Sequence, residues 1–343
     1  AMMAQIRKDL KALGVEHDVF TSEAKLHESD AIDASIQKLR DAGHIYQGIL
    51  EPPKGKTPDE WEAVEQTLFR STNFGDDVDR PVLRSDGSRT YFAADIAYME
   101  HKLERGFTKL VMELGADHGG YVKRMKAICA AFSDKKVPLD IILHQMVNLM
   151  EDGVPLKMSK RAGRVVSARD LAEEVGVGVL RFIMLTRKAD APIDFDIKKV
   201  LEQTKDNPVF YVQYAHARCR SVLRLADEQE NAALAASLQP TTEKVALLDK
   251  ASELEIIRKM AHWPMLVEQA AFSYEPHRVA FYLQELAAMF HALWNSGNEN
   301  EGLRFMVADE KVTTARLILV ESVATVIATG LNVLGVEPIE EMR

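Results

Sequence analysis

Two lysines three residues apart, Lys157 and Lys160, with Ser159 between them, are the residues of this sequence best suited to phosphate chemistry. They belong to the run Lys157-Met158-Ser159-Lys160-Arg161-Ala162-Gly163. A loop of this kind can close over a triphosphate, where two ammonium groups offset the charge that develops as pyrophosphate leaves. The serine hydroxyl and backbone N–H groups can add hydrogen bonds. Taken alone, the pattern favours an ordinary solvated loop, so the neighbouring sequence must decide.

Five further segments occur in a fixed order along the chain. They are Gly75–Arg80, Ser85–Ser88, Thr90–Tyr98, Gly115–Tyr121 and Asn207–Arg218. Together with the lysine run, which resembles the signature loop of class I aminoacyl-tRNA synthetases, they resemble the bacterial arginyl-tRNA synthetases in order and spacing. The resemblance extends over nearly the whole chain.

This resemblance implies a reaction and its substrates. The family attaches arginine to its tRNA in an ATP-dependent reaction, through an arginyl-adenylate and transfer to the tRNA 3′ end. The implied partners are arginine, ATP with Mg²⁺ as a substrate, and an arginine-acceptor tRNA, with no tightly bound cofactor and no protein metal site. The family also implies a monomer in the cytoplasm.

The ATP site implied by the resemblance centres on Lys157, Met158, Ser159 and Lys160. Lys157 and Lys160 would bracket the triphosphate, with Lys160 the main transition-state contact and Ser159 holding the loop. His144 and Gln145 end the last predicted strand just before this loop. They are expected either to line the adenine pocket or to pack in the core.

Arginine recognition requires a carboxylate that can accept two guanidinium N–H groups, preferably beside an aromatic ring. Tyr91 and Asp95 are four residues apart, so they share one side of a helix start. On its own, Asp95 would be interpreted as a helix-start charge, but the pair matches the family's substrate-binding Tyr and Asp. His118 stands near a position where many family members have glutamine, and either contacts the substrate or is a satisfied histidine at the sheet edge.

Candidate tRNA contacts open the C-terminal helical region. Aromatic rings can stack on unpaired bases and arginine can meet a phosphate or a base edge. Phe210 and Tyr214 are predicted to pack in the core, leaving three tRNA candidates on this helix: Tyr211, Gln213 and Arg218. The final Met342 and Arg343 resemble the family's C-terminus, which lies near the anticodon loop.

Hydrophobic patterns predict the elements that position these residues. Leu110–Leu114 is predicted as a short buried strand and Val137–Leu143 as another strand. A helix over Tyr121–Phe132 is predicted between them, which indicates a doubly wound parallel sheet. Ligands of such sheets bind at the carboxyl ends of the strands. In an inserted region near 50–92, Trp61–Phe69 is predicted as a helix and Asp86-Gly87 as a hairpin turn.

The predicted organisation is an α/β nucleotide-binding region, a connection and a helical bundle. Residues 1–150 form the second half of the catalytic domain, 151–205 the connection with the lysine loop, and 206–343 the anticodon-binding domain. The His-x-Gly-His element of class I synthetases does not occur in the sequence. We therefore expect a C-terminal portion that is inactive alone. Two alternatives are a non-catalytic tRNA-binding module and a class I synthetase for another amino acid.

Composition is consistent with this assignment. The 343 residues are 47% apolar with a net charge of −9, yet residues 154–224 contain 14 Lys and Arg against 8 Asp and Glu. A local basic surface is sufficient for phosphate contacts. Cys129 and Cys219 are predicted to be buried free thiols. No apolar run was expected to reach the roughly 20 residues that cross a membrane.

Overall fold

A computed structural model describes residues 2–51, 63–156, 166–204, 206–230 and 238–342, with side chains of the fourth range described up to 228. The predicted ATP-binding residues Lys157, Met158, Ser159 and Lys160, together with Arg343, lie outside this part of the chain. Contacts divide the chain into two units. We call residues 17–146 the α/β unit, and residues 1–16 with 147–343 the discontinuous unit.

Helices and strands alternate along the first part of the chain, which begins with α1 (Met2–Ala12) of the discontinuous unit. The α/β unit follows with α2 (Glu23–Glu28), α3 (Ala31–Asp41), β1 (Ile45–Gly48), β2 (Gln66–Phe69), β3 (Arg80–Leu83), α4 (Tyr91–Glu104), β4 (Leu110–Gly115), α5 (Val122–Ser133) and β5 (Leu139–His144).

The predicted strand–helix–strand unit is confirmed. β4 and β5 pair in parallel, from Leu110 opposite Leu139 to Gly115 opposite His144, and α5 connects them. The predicted buried strand β4 is only partly buried, because its exposure alternates and Val111 is 45% exposed. The opposite face packs on the core with α3, α4 and α5.

In the inserted region, the predicted helix over Trp61–Phe69 is wrong for its described part. Gln66–Phe69 is β2, the middle strand of an antiparallel sheet ordered β1-β2-β3. Strand pairing on both sides and complete burial of Leu68 and Phe69 outweigh the helical pattern. The predicted turn is confirmed: Leu83 bridges Arg89, and Gly87 has φ +79°, a value that favours glycine.

The discontinuous unit contains a small sheet and a helical bundle. Its elements after α1 are β6 (Val147–Glu151), β7 (Val154–Pro155), α6 (Ala168–Val175), α7 (Val177–Met184), β8 (Ile193–Asp196), α8 (Pro208–Glu230), α9 (Thr242–Val245), α10 (Ala251–Ala261), α11 (Trp263–Ser273), α12 (His277–Glu299) and α13 (Glu310–Val333). The sheet order is β7-β6-β8, with β6 and β8 parallel. The chain is helical from α8 onward, as predicted, and both cysteines are buried and free.

The N-terminal segment packs within the discontinuous unit. Asp9 of α1 pairs with Arg169 of α6 at 3.6 Å. Arg181 of α7 donates to the Leu13 carbonyl at 3.0 Å and to the Leu334 carbonyl at 3.0 Å. The structural division therefore differs from the predicted 1–150 domain, because residues 1–16 find their partners beyond residue 147.

The helix α13 is long and apolar enough to cross a membrane by length and composition alone, contrary to the expectation from the sequence. In this structure it packs in the bundle core against α8 and α12. Its Arg316 forms a buried ion pair with Glu253 of α10 at 2.7 Å, with side chains 4% and 2% exposed. We interpret α13 as a core helix, because its charged residue already has a protein partner.

Candidate active site

The start of α4 is fixed to the sheet of the inserted region. Thr90, in extended conformation before the helix, donates its hydroxyl to the carbonyls of Pro81 and Val82 at 2.9 and 3.0 Å. The apolar side of α4 is buried in the core. This packing leaves Tyr91 and Asp95 together on the opposite side of the first turns.

Both residues line an open pocket of about 820 Å³ within the α/β unit, which we call the acidic pocket. The predicted residues Tyr91, Asp95 and His118 are all among its walls. The structure therefore brings together the three residues that the resemblance assigned to arginine. The remaining lining residues are His17, Glu23, Tyr98, Met99, Lys102, Val111, Met112, Glu113, Leu114, Tyr121 and Met125.

The charge of this pocket suits a cationic ligand. Among the described residues that line it, three carboxylates, those of Glu23, Asp95 and Glu113, stand against one lysine, Lys102. Burial raises the pKa of Asp95 to about 6, and the negative charge of Glu23 acts in the same direction, while the Arg124 guanidinium opposes both. A cation that binds beside such a half-buried carboxylate would stabilise its ionised form, because the cation would replace part of the hydration that burial removes.

His118 lies at the rim of the acidic pocket. Its Nε2 is 3.7 Å from the Asp117 carboxylate, its ring meets the edge of Tyr121 at 5.5 Å, and its side chain is 52% exposed. Gly115, which ends β4 in extended conformation, lies close to Asp117, since a Cβ there would stand 2.6 Å from the movable Asp117 carboxylate. His118 is therefore accessible to a ligand and also has protein partners.

The two residues that end β5 are exposed. His144 lies 3.8 Å from the Glu113 carboxylate with 47% of its side chain exposed, and Gln145 is also exposed. The alternative of core packing is therefore wrong for both. They stand at the carboxyl end of the parallel pair, where ligands of such sheets bind.

Sequence reasoning missed Glu23, Tyr98 and Lys102. The spacing of Tyr91, Asp95, Tyr98 and Lys102 could have revealed the last two, because these residues form one stripe along α4. Glu23 carries no such signal. It reaches the acidic pocket from α2, and the strands of the inserted region lie between α2 and α4 in the sequence.

A second cavity, of about 370 Å³, lies in the discontinuous unit between α8, α12 and the C-terminal residues. We call it the α8 pocket. The predicted tRNA candidates Arg218 and Met342 both line it, together with Tyr214, Ala217, Ser221, Arg224, Trp294 and Glu341. The Arg218 guanidinium lies 4.2 Å from the Tyr214 ring centre and 5.0 Å from that of Trp294.

The two tyrosines of α8 are both partly buried, and both of their rings contact His291 of α12. Tyr211 packs against the bundle core with its ring 4.6 Å from His291, because α12 covers the first turns of α8. Tyr214, which was expected to pack, lines the α8 pocket and stacks on Phe210 at 5.8 Å. Gln213 does not line that pocket and donates instead to the Glu337 carbonyl at 3.4 Å.

Two known protein families match separate parts of the chain. Residues 85–197 match the class I tRNA synthetases for I, L, M and V, and residues 212–342 match the DALR anticodon binding domain. The predicted fold class, a class I synthetase fold followed by a helical anticodon domain, is confirmed. The match over residues 85–197 identifies the class of synthetase but does not identify its amino acid.

Similar proteins indicate which amino acid the family uses. An arginine–tRNA ligase of Cereibacter sphaeroides is 58% identical over 346 residues, covering 100% of this chain and 59% of the relative. That of Roseobacter denitrificans is 57% identical with the same coverage. A Campylobacter jejuni structure, described as a candidate arginyl-tRNA synthetase, is 30% identical with a TM-score of 0.78, covering 99% of this chain and 68% of that one.

The chain belongs to the arginyl-tRNA synthetase family. It spans 59% of the length of the curated relatives that it matches. The resemblance identified from the lysine run and the five further segments is thereby confirmed at the level of the family.

Proposed function

We propose that this chain provides the arginine-binding and tRNA-binding parts of an enzyme that attaches arginine to its tRNA. The observation that carries this proposal is the acidic pocket, where Tyr91 and Asp95 lie side by side in a member of the arginyl-tRNA synthetase family. A class I synthetase for another amino acid would have less use for a half-buried carboxylate with raised pKa in this place.

In this proposal the substrate guanidinium enters the acidic pocket and pairs with Asp95. A carboxylate accepts two parallel N–H groups from a guanidinium, which fixes both position and orientation. Tyr91, which is 84% exposed, can cover the bound side chain. Glu23 adds a second negative charge, and His118 at the rim is a candidate contact to the rest of the substrate.

The first chemical step joins arginine to ATP. An oxygen of the arginine carboxylate attacks the α-phosphorus, the bond to the β-phosphate oxygen breaks, and pyrophosphate leaves with Mg²⁺. We assign charge stabilisation to Lys157 and Lys160, with Met158 and Ser159 in the same loop, and an adenine contact to His144 and Gln145. A hydroxyl at the tRNA 3′ end then attacks the acyl carbon, and AMP departs.

We assign recognition of the tRNA to the helical bundle. The α8 pocket combines a guanidinium with two aromatic rings, the residue types that hold unpaired bases. Arg218 and Met342 are its predicted contacts, and Trp294 and Tyr214 join them. Tyr211, Gln213 and Arg343 remain predictions as tRNA contacts, and a monomer in the cytoplasm remains a prediction from the family.

Arginine binding is expected to weaken as the pH falls. Asp95 must be ionised to pair with a guanidinium, and its pKa is raised to about 6. The dissociation constant for arginine should therefore rise below that pH, approaching about tenfold per pH unit. Calorimetric titration with arginine over the acidic range measures this.

Two histidines, His17 and His118, also line the pocket, so the pH series needs a control. In Asp95→Asn the residual arginine affinity should lose most of its pH dependence in this range. An unchanged pH profile in that variant would assign the effect to other groups and contradict the proposed pairing.

The reaction itself is tested with the protein produced from its complete gene. We expect it to transfer radiolabelled arginine to total tRNA in the presence of ATP, and no other amino acid at a comparable rate. Transfer of a different amino acid would contradict the assignment of substrate. The tRNA retained by the protein at two salt concentrations is sequenced in parallel.

The retained tRNA separates the enzyme from a non-catalytic module. Enrichment of arginine acceptors with charging supports the proposal, while enrichment without charging favours a binding module. Retention that depends on salt but lacks selectivity indicates only a basic surface.

A further inference from the structure

His291 has no role in the reaction described above, yet both of its ring nitrogens face α8. Its Nδ1 lies 3.1 Å from a terminal guanidinium nitrogen of Arg218, and its Nε2 lies 3.3 Å from the carbonyl oxygen of Tyr211. The residue is only 6% exposed, on the inner side of α12. It therefore contacts the α8 pocket from beneath.

The partners of His291 fix its protonation state and tautomer. A guanidinium can only donate, so Nδ1 must accept from Arg218, and Nε2 then carries the proton and donates to the Tyr211 carbonyl. Burial lowers the pKa of His291, the positive charge of Arg218 lowers it further, and the Tyr211 carbonyl opposes them. A neutral ring at neutral pH satisfies both contacts.

Two of the five N–H groups of the Arg218 guanidinium donate hydrogen bonds within the protein. One terminal nitrogen donates to His291, and the other donates to the Tyr214 hydroxyl at 2.8 Å. The guanidinium lies against the rings of Tyr214 and Trp294. Within the described part of the chain its other three N–H groups have no protein acceptor, so they are available to a ligand in the α8 pocket.

We propose that His291 is a positioning residue for tRNA binding, which orients Arg218 so that its remaining N–H groups meet an unpaired nucleobase. The proposal rests on the proposed function, in which Arg218 contacts tRNA. A long, flexible arginine loses side-chain freedom when it binds a ligand, and a partner that orders it beforehand reduces that loss. His291 provides this order from a helix that is distant in sequence.

Two substitutions distinguish the roles of the two ring nitrogens of His291. In His291→Gln the side-chain amide can reach the place of Nε2 and donate towards Tyr211, but no acceptor then stands at the position of Nδ1 beside Arg218. In His291→Asn the side-chain oxygen replaces Nδ1 and the acceptor is retained. For His291→Gln we expect the KM for tRNA to rise about tenfold, the effect of losing one hydrogen bond to a charged group. The kcat and the KM for arginine should stay unchanged, and His291→Asn should restore most of the tRNA affinity.

The measurement is steady-state arginine charging with the protein from the complete gene and tRNA as the varied substrate. Combining Arg218→Ala with His291→Gln should add nothing to the effect of Arg218→Ala alone, since His291 acts through that side chain. Tyr214→Phe removes the second anchor of Arg218 without touching His291, and should also raise the KM for tRNA.

Three results would overturn this role for His291. Additive effects in the double variant, or equal losses in both His291 variants together with a lowered melting temperature, would indicate a purely structural residue. If Arg218→Ala leaves tRNA binding unchanged while arginine charging persists, this inference fails and the proposed reaction stands. Loss of arginine charging by the unaltered protein would instead overturn the proposed function.

Discussion

Asp95→Asn is expected to raise the KM for arginine about a hundredfold, which corresponds to about 3 kcal/mol of lost binding. The amide cannot supply the charge, or the second acceptor oxygen, that pairs with a guanidinium. The KM for ATP should change far less, because ATP does not need the acidic pocket. Charging assays with arginine and ATP varied in turn measure the difference.

The same substitution is expected to stabilise the free protein. The folded-state pKa of Asp95 is about 6, above its ordinary value of 3.8. The folded chain therefore binds this proton more tightly than the unfolded chain, and the resulting stabilisation is lost as the pH rises through that range. At neutral pH the ionised group is a net cost to folding that asparagine removes. We expect a higher melting temperature at pH 7 and little change near pH 4.

Glu104→Gln is the matched control, because Glu104 lies on the same helix, outside the acidic pocket, and pairs with Lys38 at 3.7 Å. It should leave the KM for arginine and the melting temperature close to the wild-type values. Equal rises in the KM for arginine and for ATP in Asp95→Asn would refute the role of Asp95 in recognition.

Lys160→Ala is expected to reduce the charging rate of the enzyme from the complete gene about a hundredfold or more. Removing one well-placed donor to charge that develops in the transition state costs about 3–4 kcal/mol in the barrier. The effect should appear in kcat, because the charge that we assign Lys160 to stabilise is greatest as pyrophosphate leaves. The KM for arginine should change little.

Lys188→Ala provides the comparison for Lys160. Lys188 is an exposed lysine of the same unit that pairs with Asp190 at 3.5 Å, and its loss should leave kcat unchanged. A fall of less than about threefold in the turnover of Lys160→Ala would remove Lys160 from the transition-state site.

The elements around the acidic pocket were predictable because their signals are local. The strand–helix–strand pattern gave β4, α5 and β5, and a four-residue spacing placed Tyr91 and Asp95 on one side of a helix. The misassigned segment Trp61–Phe69 shows the limit of such patterns. A short apolar run fits a helix or a strand, and the neighbouring strands β1 and β3 decide which one forms.

The residues that reach a site from distant elements were not predictable. Glu23, Trp294 and His291 each come from an element far along the chain from the motif they join. The lining of the α8 pocket by Tyr214 has the same origin, since Tyr211 and Tyr214 both fit the pattern of α8 and both contact His291 of α12. Periodicity fixes the faces of a helix, and packing decides which face remains open.

The discontinuous unit has a consequence for folding while the protein is synthesised on the ribosome. α1 is made early, but Arg169 and Arg181, which hold Asp9 and Leu13, follow only after the whole α/β unit. Leu13 and Arg181 are separated by 168 residues, and at typical elongation rates that length takes on the order of ten to thirty seconds. During this interval the Asp9 carboxylate and the Leu13 carbonyl lack the arginines that pair with them in the folded chain, so these contacts form only late in synthesis.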